Sequence, residues 1–530
     1  MEHLRFALLI NDTVLDRWHV RCLDSLQKTA ELTGVFLTAE ASGPAAGKPG
    51  SPLMRAFATR VERKTTIDIA TRLAGVPRLH VSARHEPIRP GHFDFILKLG
   101  RGAIPEEIER ATRIGVWCFQ HEIEGGCLPF FREVYDGEDV TRAALLAFEG
   151  HGVEPDVLEE GYFPTDKRSY ASNRDRIVDS IAQWPARACR RLLAGANSGS
   201  AARAIEILPS PRHHKRPPSL LRFFTRIVRR RLDFAWERLF RHRQWNIGIL
   251  PVRVGALLRG GADLDSTIEW FPLDLRDGFL ADPFGIVRNG TIHVLCEYFG
   301  YRSKKGDICA LQISARGFSR TPEHAISLPG HMSYPFLVED AGEIFCVPET
   351  CFADEIALFR AIEFPRKWSK VAVLVDQFAG IDPTIFRHGD RWWLMCTKKG
   401  HMADVELWVW HAAELRGPWI AHARNPVKTD VRSARPGGAP FVHDGALYRP
   451  AQDCSKTYGW RLALQRVKSL TPLEFSEDQV GVLEASPASP FPAGRHTLTP
   501  VGDAVLIDGH RVVFVWPAFQ AFLKIWATDV

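Results

Sequence analysis

Two aspartates in this chain stand directly before a proline, Asp282-Pro283 and Asp382-Pro383. Paired carboxyl groups facing one cleft are the usual apparatus for protonating a glycosidic oxygen while activating a nucleophile or a water. Further acids end strand-like runs: Glu297, and Glu349 in Val347-Pro348-Glu349-Thr350. Tyr334 precedes Pro335, and His496 lies in Gly494-Arg495-His496-Thr497. Arg435 and Arg449 have the fork geometry that holds a phosphate or carboxylate by paired hydrogen bonds. A separate group comes earlier, where His121 is followed by Glu122, an imidazole beside a carboxylate that suits proton shuttling. Each residue taken alone also has a bland reading. Asp before Pro forms turns, a lone histidine is usually structural, and surface arginines are common. What decides between the readings is whether the elements carrying these residues converge.

In the second half they recur in register. Ala281-Asp282-Pro283-Phe284, Ser333-Tyr334-Pro335-Phe336, Ile381-Asp382-Pro383-Thr384, Gly438-Ala439-Pro440-Phe441 and Leu498-Thr499-Pro500-Val501 are each followed by a Gly- or Asp-bearing turn and an apolar strand. The prolines repeat at roughly 50 to 60 residues, the length of a four-stranded blade with its loops. Five copies predict five blades, with the proline starting the innermost strand, where a missing N–H is tolerated. The residues before the prolines, Asp282, Tyr334, Asp382, Ala439 and Thr499, are then expected to ring one end of the axis. The dense tryptophans of the third and fourth blades, such as Trp392, Trp393, Trp408 and Trp410, are mostly expected as inter-blade core, with one or two free at the rim to stack on a sugar.

The first half reads differently. Residues 5–10 (RFALLI) predict a buried strand, 14–31 an amphipathic helix and Gly34–Leu37 a second strand. Phe93–Leu97, a helix from Ile104 and the strand Gly115–Phe119 follow, which fits a doubly wound parallel sheet. The stretch between, about 41–65, is Gly/Pro/Ala-rich and then basic. From 196 the composition turns polar, proline-bearing and basic, as in a linker, and leads into LLRFFTRIVRRRLDFAWERLFRHRQW, a basic amphipathic helix within 219–245. Such a helix either lies on an anionic membrane surface or packs its apolar face on a domain. The expected division is therefore 1–195, an α/β domain; 196–244, linker and helix; and 245–530, an all-β propeller.

These motifs also carry family resemblances. Residues 245–515 resemble the five-bladed propeller superfamily of arabinanases, β-xylosidases and levansucrases, and in particular the propeller half of glucosamine inositolphosphorylceramide transferases. That resemblance implies catalytic roles for Asp282, as base or nucleophile, and Asp382, as the residue that tunes the acid. The general acid has no counterpart: where the hydrolases carry Glu-Gly-Pro, this chain reads Gly438-Ala439-Pro440, which leaves Glu349, ahead of Glu297, to substitute. His496 resembles the axial histidine of the same enzymes. Residues 88–170 resemble the formyltransferase fold, through Asp94-Phe95-Ile96-Leu97, Ile104-Pro105-Glu106-Glu107, Gly115–His121, Pro129–Val134 and Tyr162–Thr165. The resemblance implies a catalytic role for His121 and 10-formyltetrahydrofolate as donor. Two of its three catalytic positions differ: Phe119 stands in place of an asparagine, and the expected aspartate is replaced within Gly152-Val153-Glu154, with Glu154 or Asp156 only nearby.

Composition narrows the class. Of 530 residues, 68 Lys and Arg face 62 Asp and Glu, a net charge of +6 that is small for the length and gives no nucleic-acid footprint. Ten cysteines without metal-site spacing predict reduced thiols. The N-terminal run lacks the length and flanks of a signal peptide, and no apolar run reaches about eighteen residues, which predicts a cytoplasmic protein that touches membrane at most peripherally. The expected partners are a carbohydrate, nucleotide-sugar or glycolipid substrate. Two functions fit: an enzyme of glycoconjugate or surface-polysaccharide assembly, or a sugar-binding scaffold in which both sites have lost their chemistry.

Overall fold

Leu4–Ile10 is apolar on both faces and buried at nearly every position, which suits the middle of a parallel sheet. In the computed structural model it pairs in parallel with Ala30–Leu37 on one side and Phe95–Lys98 on the other. The structure describes residues 4–38, 57, 66–79, 91–100, 104–123, 128–150, 153–194, 219–259, 264–272, 277–314, 317–319 and 321–515; the basic stretch before 66 and the linker before 219 lie outside them. The sheet runs in the order Arg78–Leu79, Ala30–Leu37, Leu4–Ile10, Phe95–Lys98, Val116–Phe119, Val140–Phe148, Asp156–Pro164. The first five strands are parallel, as expected, and the last two add an antiparallel edge. Phe6, Phe95 and Trp117 stack across neighbouring strands with centroids 5.4 and 3.9 Å apart. Ala7, Leu9, Phe36, Ile96 and Val116 pack with Ile108 and Ala111 in a second layer. Each such large side chain contributes about 2–3 kcal/mol by burial. The expected helix over 14–31 is shorter, Arg17–Leu26, because the Asp12 carboxylate accepts the Val14 N–H and Val14–Asp16 pairs with Thr66–Asp68 instead.

The chain divides into two units, Met1–Arg231 and Leu232–Val530. The second holds five sheets. Blade one is Gly278–Arg288, Thr291–Gly300 and Lys305–Ser314 with short outer strands; blade two is Ser333–Asp340, Glu343–Glu349, Glu355–Glu363 and Lys367–Asp376. Blade three is Gly380–His388, Arg391–Lys398 and Glu406–Ala412 with short outer strands; blade four is Phe441–His443, Ala446–Asp453, Arg461–Leu470 and Phe475–Leu483. Blade five takes Leu498–Val501 and Ala504–Phe514 from the C-terminal side, then Arg241–Leu250 and Glu269–Trp270 from the start of the unit. Arg241–Leu250 pairs antiparallel with Ala504–Phe514 over its whole length and closes the ring. The propeller therefore begins at Arg241, and the helix read through 245 ends at Phe240. Arg241, His242 and Arg243 prolong the helical charge pattern, and only the distant partners Phe514, Val513 and Val512 make them a strand.

Trp392, Trp393 and Trp410 are buried between strands as expected, and Trp408 and Trp419 pack against the same core. Trp460 is not a free stacking surface, because Lys456 and Arg461 each sit 3.9 Å from its ring centroid. The nine described cysteines are all free and buried.

Candidate active site on the propeller axis

Three of the five proline steps leave their ladder in the same way. Asp282, Tyr334 and Asp382 adopt left-handed backbone, with φ of 52°, 47° and 51°. Pairing skips from Ala281 to Phe284, from Ser333 to Phe336 and from Ile381 to Thr384. Each skip is a bulge that frees the residue before proline from the sheet. The conformation costs a non-glycine residue about 1–3 kcal/mol, a strain that persists where the surroundings fix it. Blades four and five have no such bulge at proline: the left-handed residue is Gly438, at φ 119°, and Thr499 stays paired with Leu506.

The freed side chains meet residues of other blades. Asp282 accepts a hydrogen bond from Thr497 Oγ1 at 2.6 Å and one from the Tyr334 N–H at 3.3 Å. Its own N–H donates to Asp508 at 3.3 Å. Asp508 also accepts the N–H groups of His496 and Thr497 at 2.9 and 3.0 Å and lies 2.5 Å from His496 Nδ1. Asp382 accepts Arg435 Nε and Gln452 Nε2, both at 2.6 Å, and its N–H donates to Glu349 at 3.1 Å. Arg435 also holds Asp404 at 2.8 Å and lies over the Tyr458 ring. Trp245 stacks on His496 at 3.9 Å. Asp282, Asp382, Glu349 and His496 are thus gathered into one buried network; the proline register predicts the meeting of the two aspartates, and the resemblance implied the other two.

So many acids in one dry place cannot all be charged. Burial pushes Asp282 up to about 6, against the pull of His496, and Asp382 and Asp508 add repulsion. Burial takes Glu349 to about 7; Asp382 raises it further and Arg435 opposes. Glu297 is driven well above the carboxylate range by burial and by Asp282. Asp508 goes the other way: burial alone would raise it, but His496 and two backbone N–H groups hold it down. The same pair raises His496 against its own burial. Asp282, His496 and Asp508 present ligand atoms within 4.8 Å of one another, a geometry that can hold a cation. In this structure His496 Nδ1 bonds Asp508, while the Asp282 carboxylate lies 3.7 Å from that nitrogen and accepts Thr497 Oγ1.

Two sequence expectations need correction. Arg449 holds no anion at the axis, because its guanidinium is taken by Glu477, at 3.0 and 2.6 Å, and by the Ser433 and Ala434 carbonyls. Tyr334 offers no free hydroxyl. It accepts the Gly438 N–H at 2.7 Å and bonds Thr384 at 2.9 Å, tying blade two to blades three and four. The vacancy for a blade-four acid is closed as well as empty: a Cβ on Gly438 would lie 1.9 Å from the Leu498 carbonyl oxygen. Asp508, Thr497, Gln452 and Tyr458 went unnoticed in the sequence. Asp508 alone has a local signal, as a charge directly after the apolar run Ala504–Ile507.

A second cluster sits in the first unit, where the strand order reverses between Leu4–Ile10 and Phe95–Lys98, the usual place for a ligand in a doubly wound sheet. Glu122 pairs with His19 at 2.7 Å and accepts the Gly100 N–H at 3.1 Å, so it is the partner of His19 and not of His121. His121 lies against Trp18 and Phe130 with Nδ1 unpartnered, and burial lowers it to about 4, so its imidazole is neutral near pH 7.

Among solved structures, the α-L-arabinofuranosidase from Podospora anserina is 10% identical, with a TM-score of 0.34, over 45% of this chain and 92% of that one. The exo-β-1,3-galactanase from Clostridium thermocellum is 8% identical, with a TM-score of 0.32, over 43% of this chain and 58% of that one. Among curated proteins, glucosamine inositolphosphorylceramide transferase 1 of Oryza sativa subsp. japonica is 36% identical over 217 residues, 39% of this chain and 29% of the relative. Its Arabidopsis thaliana counterpart is 34% identical over 219 residues, 40% of this chain and 28% of the relative. The chain thus spans less than a third of the length of these relatives. Residues 273–489, which carry Asp282, Glu297, Glu349, Asp382, Arg435 and Gln452 but neither His496 nor Asp508, match the family described as "Glucosamine inositolphosphorylceramide transferase 1, N-terminal".

Proposed function

We propose that the propeller processes the sugar of a glycoconjugate, taking a nucleotide-sugar or glycolipid substrate at its axis. The observation that carries this reading is the convergence of Asp282, Glu349 and Asp382 in one buried network, where burial and the neighbouring carboxylates raise Asp282 to about 6 and Glu349 to about 7. Near neutral pH Glu349 still carries its proton in a large share of molecules and can protonate a leaving glycosidic oxygen. Asp282, mostly ionised, can take the proton of an incoming hydroxyl or water. Asp382, fixed by Arg435 and Gln452, is an acceptor for sugar hydroxyls. The match to the N-terminal part of a glycolipid-sugar transferase supports the substrate class. The test is glycan binding and turnover by Asp282→Asn, Glu349→Gln and, as control, exposed Asp354→Asn. Loss of turnover by at least a hundredfold in the first two, with the control unchanged, is expected; equal tolerance at all three positions sinks the reading.

The closed Gly438 position favours a second reading, a sugar-binding scaffold without turnover. Under it, Asp282→Asn and Asp382→Asn weaken binding while no wild-type turnover is found on any substrate. For the first unit, the formyltransferase resemblance rests on its sequence motif, and the matched span 273–489 lies outside it. We extend the proposal to an acyl-transfer site in which Glu122 orients His19 and neutral His121 accepts a proton. His121→Ala and His19→Ala should each abolish formyl transfer from 10-formyltetrahydrofolate to an amino sugar. Absence of transfer in the wild type would remove this part of the proposal.

A further inference from the structure

The helix Leu220–Phe240 has two apolar faces, and among the described residues only one is buried, the other meeting just the Phe57 ring at Phe224. Phe223 and Ile227 are buried against Leu128, Phe131, Val134 and Tyr135. Arg226 and Arg230 reinforce that side by donating to the carbonyls of Tyr135 and Val134, each at 2.6 Å. The other face is open: Leu221, Phe224, Val228, Leu232, Trp236 and Leu239 are 75, 49, 56, 65, 53 and 47% exposed. At about 100° per residue these six fall within roughly one third of the helix circumference. Such a continuous stripe differs from singly scattered surface leucines.

Charge identifies the occupant. By the same periodicity Arg222 and Arg229 border one edge of the stripe and Arg231 and Arg238 the other. Of the helix's two acids, Glu237 falls on the far side and Asp233 just beyond Arg222. An apolar strip with cations on both edges is the section of a helix lying in the plane of a bilayer, its side chains in the acyl boundary and its guanidinium groups at lipid phosphates. No helix among the described residues is long and apolar enough to cross a membrane, which agrees with lying on it. The geometry points to this helix as the docking surface for an anionic lipid bilayer. The proposal rests on the helix alone and stands or falls apart from the sugar-processing reading.

The test is flotation of the full chain with vesicles of phosphatidylcholine alone or mixed with phosphatidylglycerol. Binding to the mixed vesicles only, weakened by salt, is expected. The exposed pair Val228→Gln and Leu232→Gln should lower partitioning at least tenfold, and Arg222→Gln or Arg238→Gln about fivefold each. Leu473→Gln, an exposed leucine on blade four, should change nothing. Circular dichroism and a thermal melt on each variant establish that it is folded. Three outcomes overturn the proposal. They are no binding to anionic vesicles, binding that survives the double substitution, and a lipid-free dimer that the double substitution dissociates, which would make the stripe a self-association face.

Discussion

Blades one to three and blades four and five are built from the same proline-marked strand pair, yet they furnish opposite halves of the axial network. The first three contribute Asp282, Glu297, Glu349 and Asp382. The others contribute Arg435, Gln452, Thr497 and His496, with Asp508 as the one acid held down by its donors. The backbone at the proline separates the two groups. Where the residue before it is left-handed and bulged, the side chain leaves the sheet for the axis. Where pairing continues, as at Thr499, strand-end groups and backbone face the axis instead. A repeat in sequence is therefore not a repeat in role, and the role follows from the dihedral at one position.

The comparison can be broken most forcefully at Gly438. If blade four differs because its backbone leaves no room, then Gly438→Ala, the smallest addition, should cost about 4 kcal/mol or prevent folding, since the new Cβ would meet a carbonyl oxygen at 1.9 Å in a left-handed conformation. Gly438→Glu should fail in the same way and restore no hydrolase activity. Chemical denaturation of the purified variant reads this directly. A folded, near-wild-type Gly438→Ala would mean that blade four is open and the missing acid an accident of sequence.

Next in size come the two buried arginine pairs, which look alike and should differ in function. Asp382→Asn leaves Arg435 with Asp404 as its remaining carboxylate, and Arg449→Met leaves Glu477 with Lys428. Breaking a buried pair costs about 3–5 kcal/mol, and both values should fall toward the lower end because a partner survives. Only Asp382→Asn should also remove glycan binding. If Arg449→Met removes binding to the same degree at equal stability, Arg449 belongs to the site after all.

How much of this was legible beforehand follows the range of the interactions. The five proline steps, the hairpins behind them and the alternation of the first sheet are local patterns, and they gave the blade number and the convergence of Asp282 and Asp382. Nothing local marks Arg241–Leu250 as the closing strand, because its partner lies at the other end of the unit. Tyr334 read as a ligand residue, since a hydroxyl's partner, here the Gly438 backbone, is invisible in sequence. Arg449 misled for the same reason: a guanidinium at a strand centre looks identical whether it meets a substrate phosphate or Glu477. His121 and Glu122 are neighbours in sequence, but the helical turn they share sends the carboxylate to His19.

The smallest expected effect is the most specific to the acid side of the comparison. Asp282 and Glu349 hold their protons to about 6 and about 7, above the values of an unfolded chain. Through the interval between, the folded state binds more protons than the unfolded one, so these two acids make stability fall as pH rises. Half-buried His331 and buried His422 and His510 act against this at lower pH. Burial lowers them to about 4, 4 and 3, so the unfolded state binds the extra protons, and their contribution rises with pH most steeply around 6.5 and levels off about a unit higher. As the histidines level off, Glu349, Glu297 and His496, all with raised values, still add slope. The propeller's denaturation midpoint should therefore decline from about pH 7 to about 8. Glu477, held at about 2 by Arg449 and Lys428 against its burial, titrates far below this window and cannot contribute. Glu349→Gln removes one of the three groups and should flatten the decline, whereas exposed Asp354→Asn should leave it unchanged. A midpoint that climbs over the same interval, or a decline that Glu349→Gln does not touch, would show that the acids of blades one to three are charged in the folded protein. The division of labour between the two groups of blades would then lose its electrostatic basis.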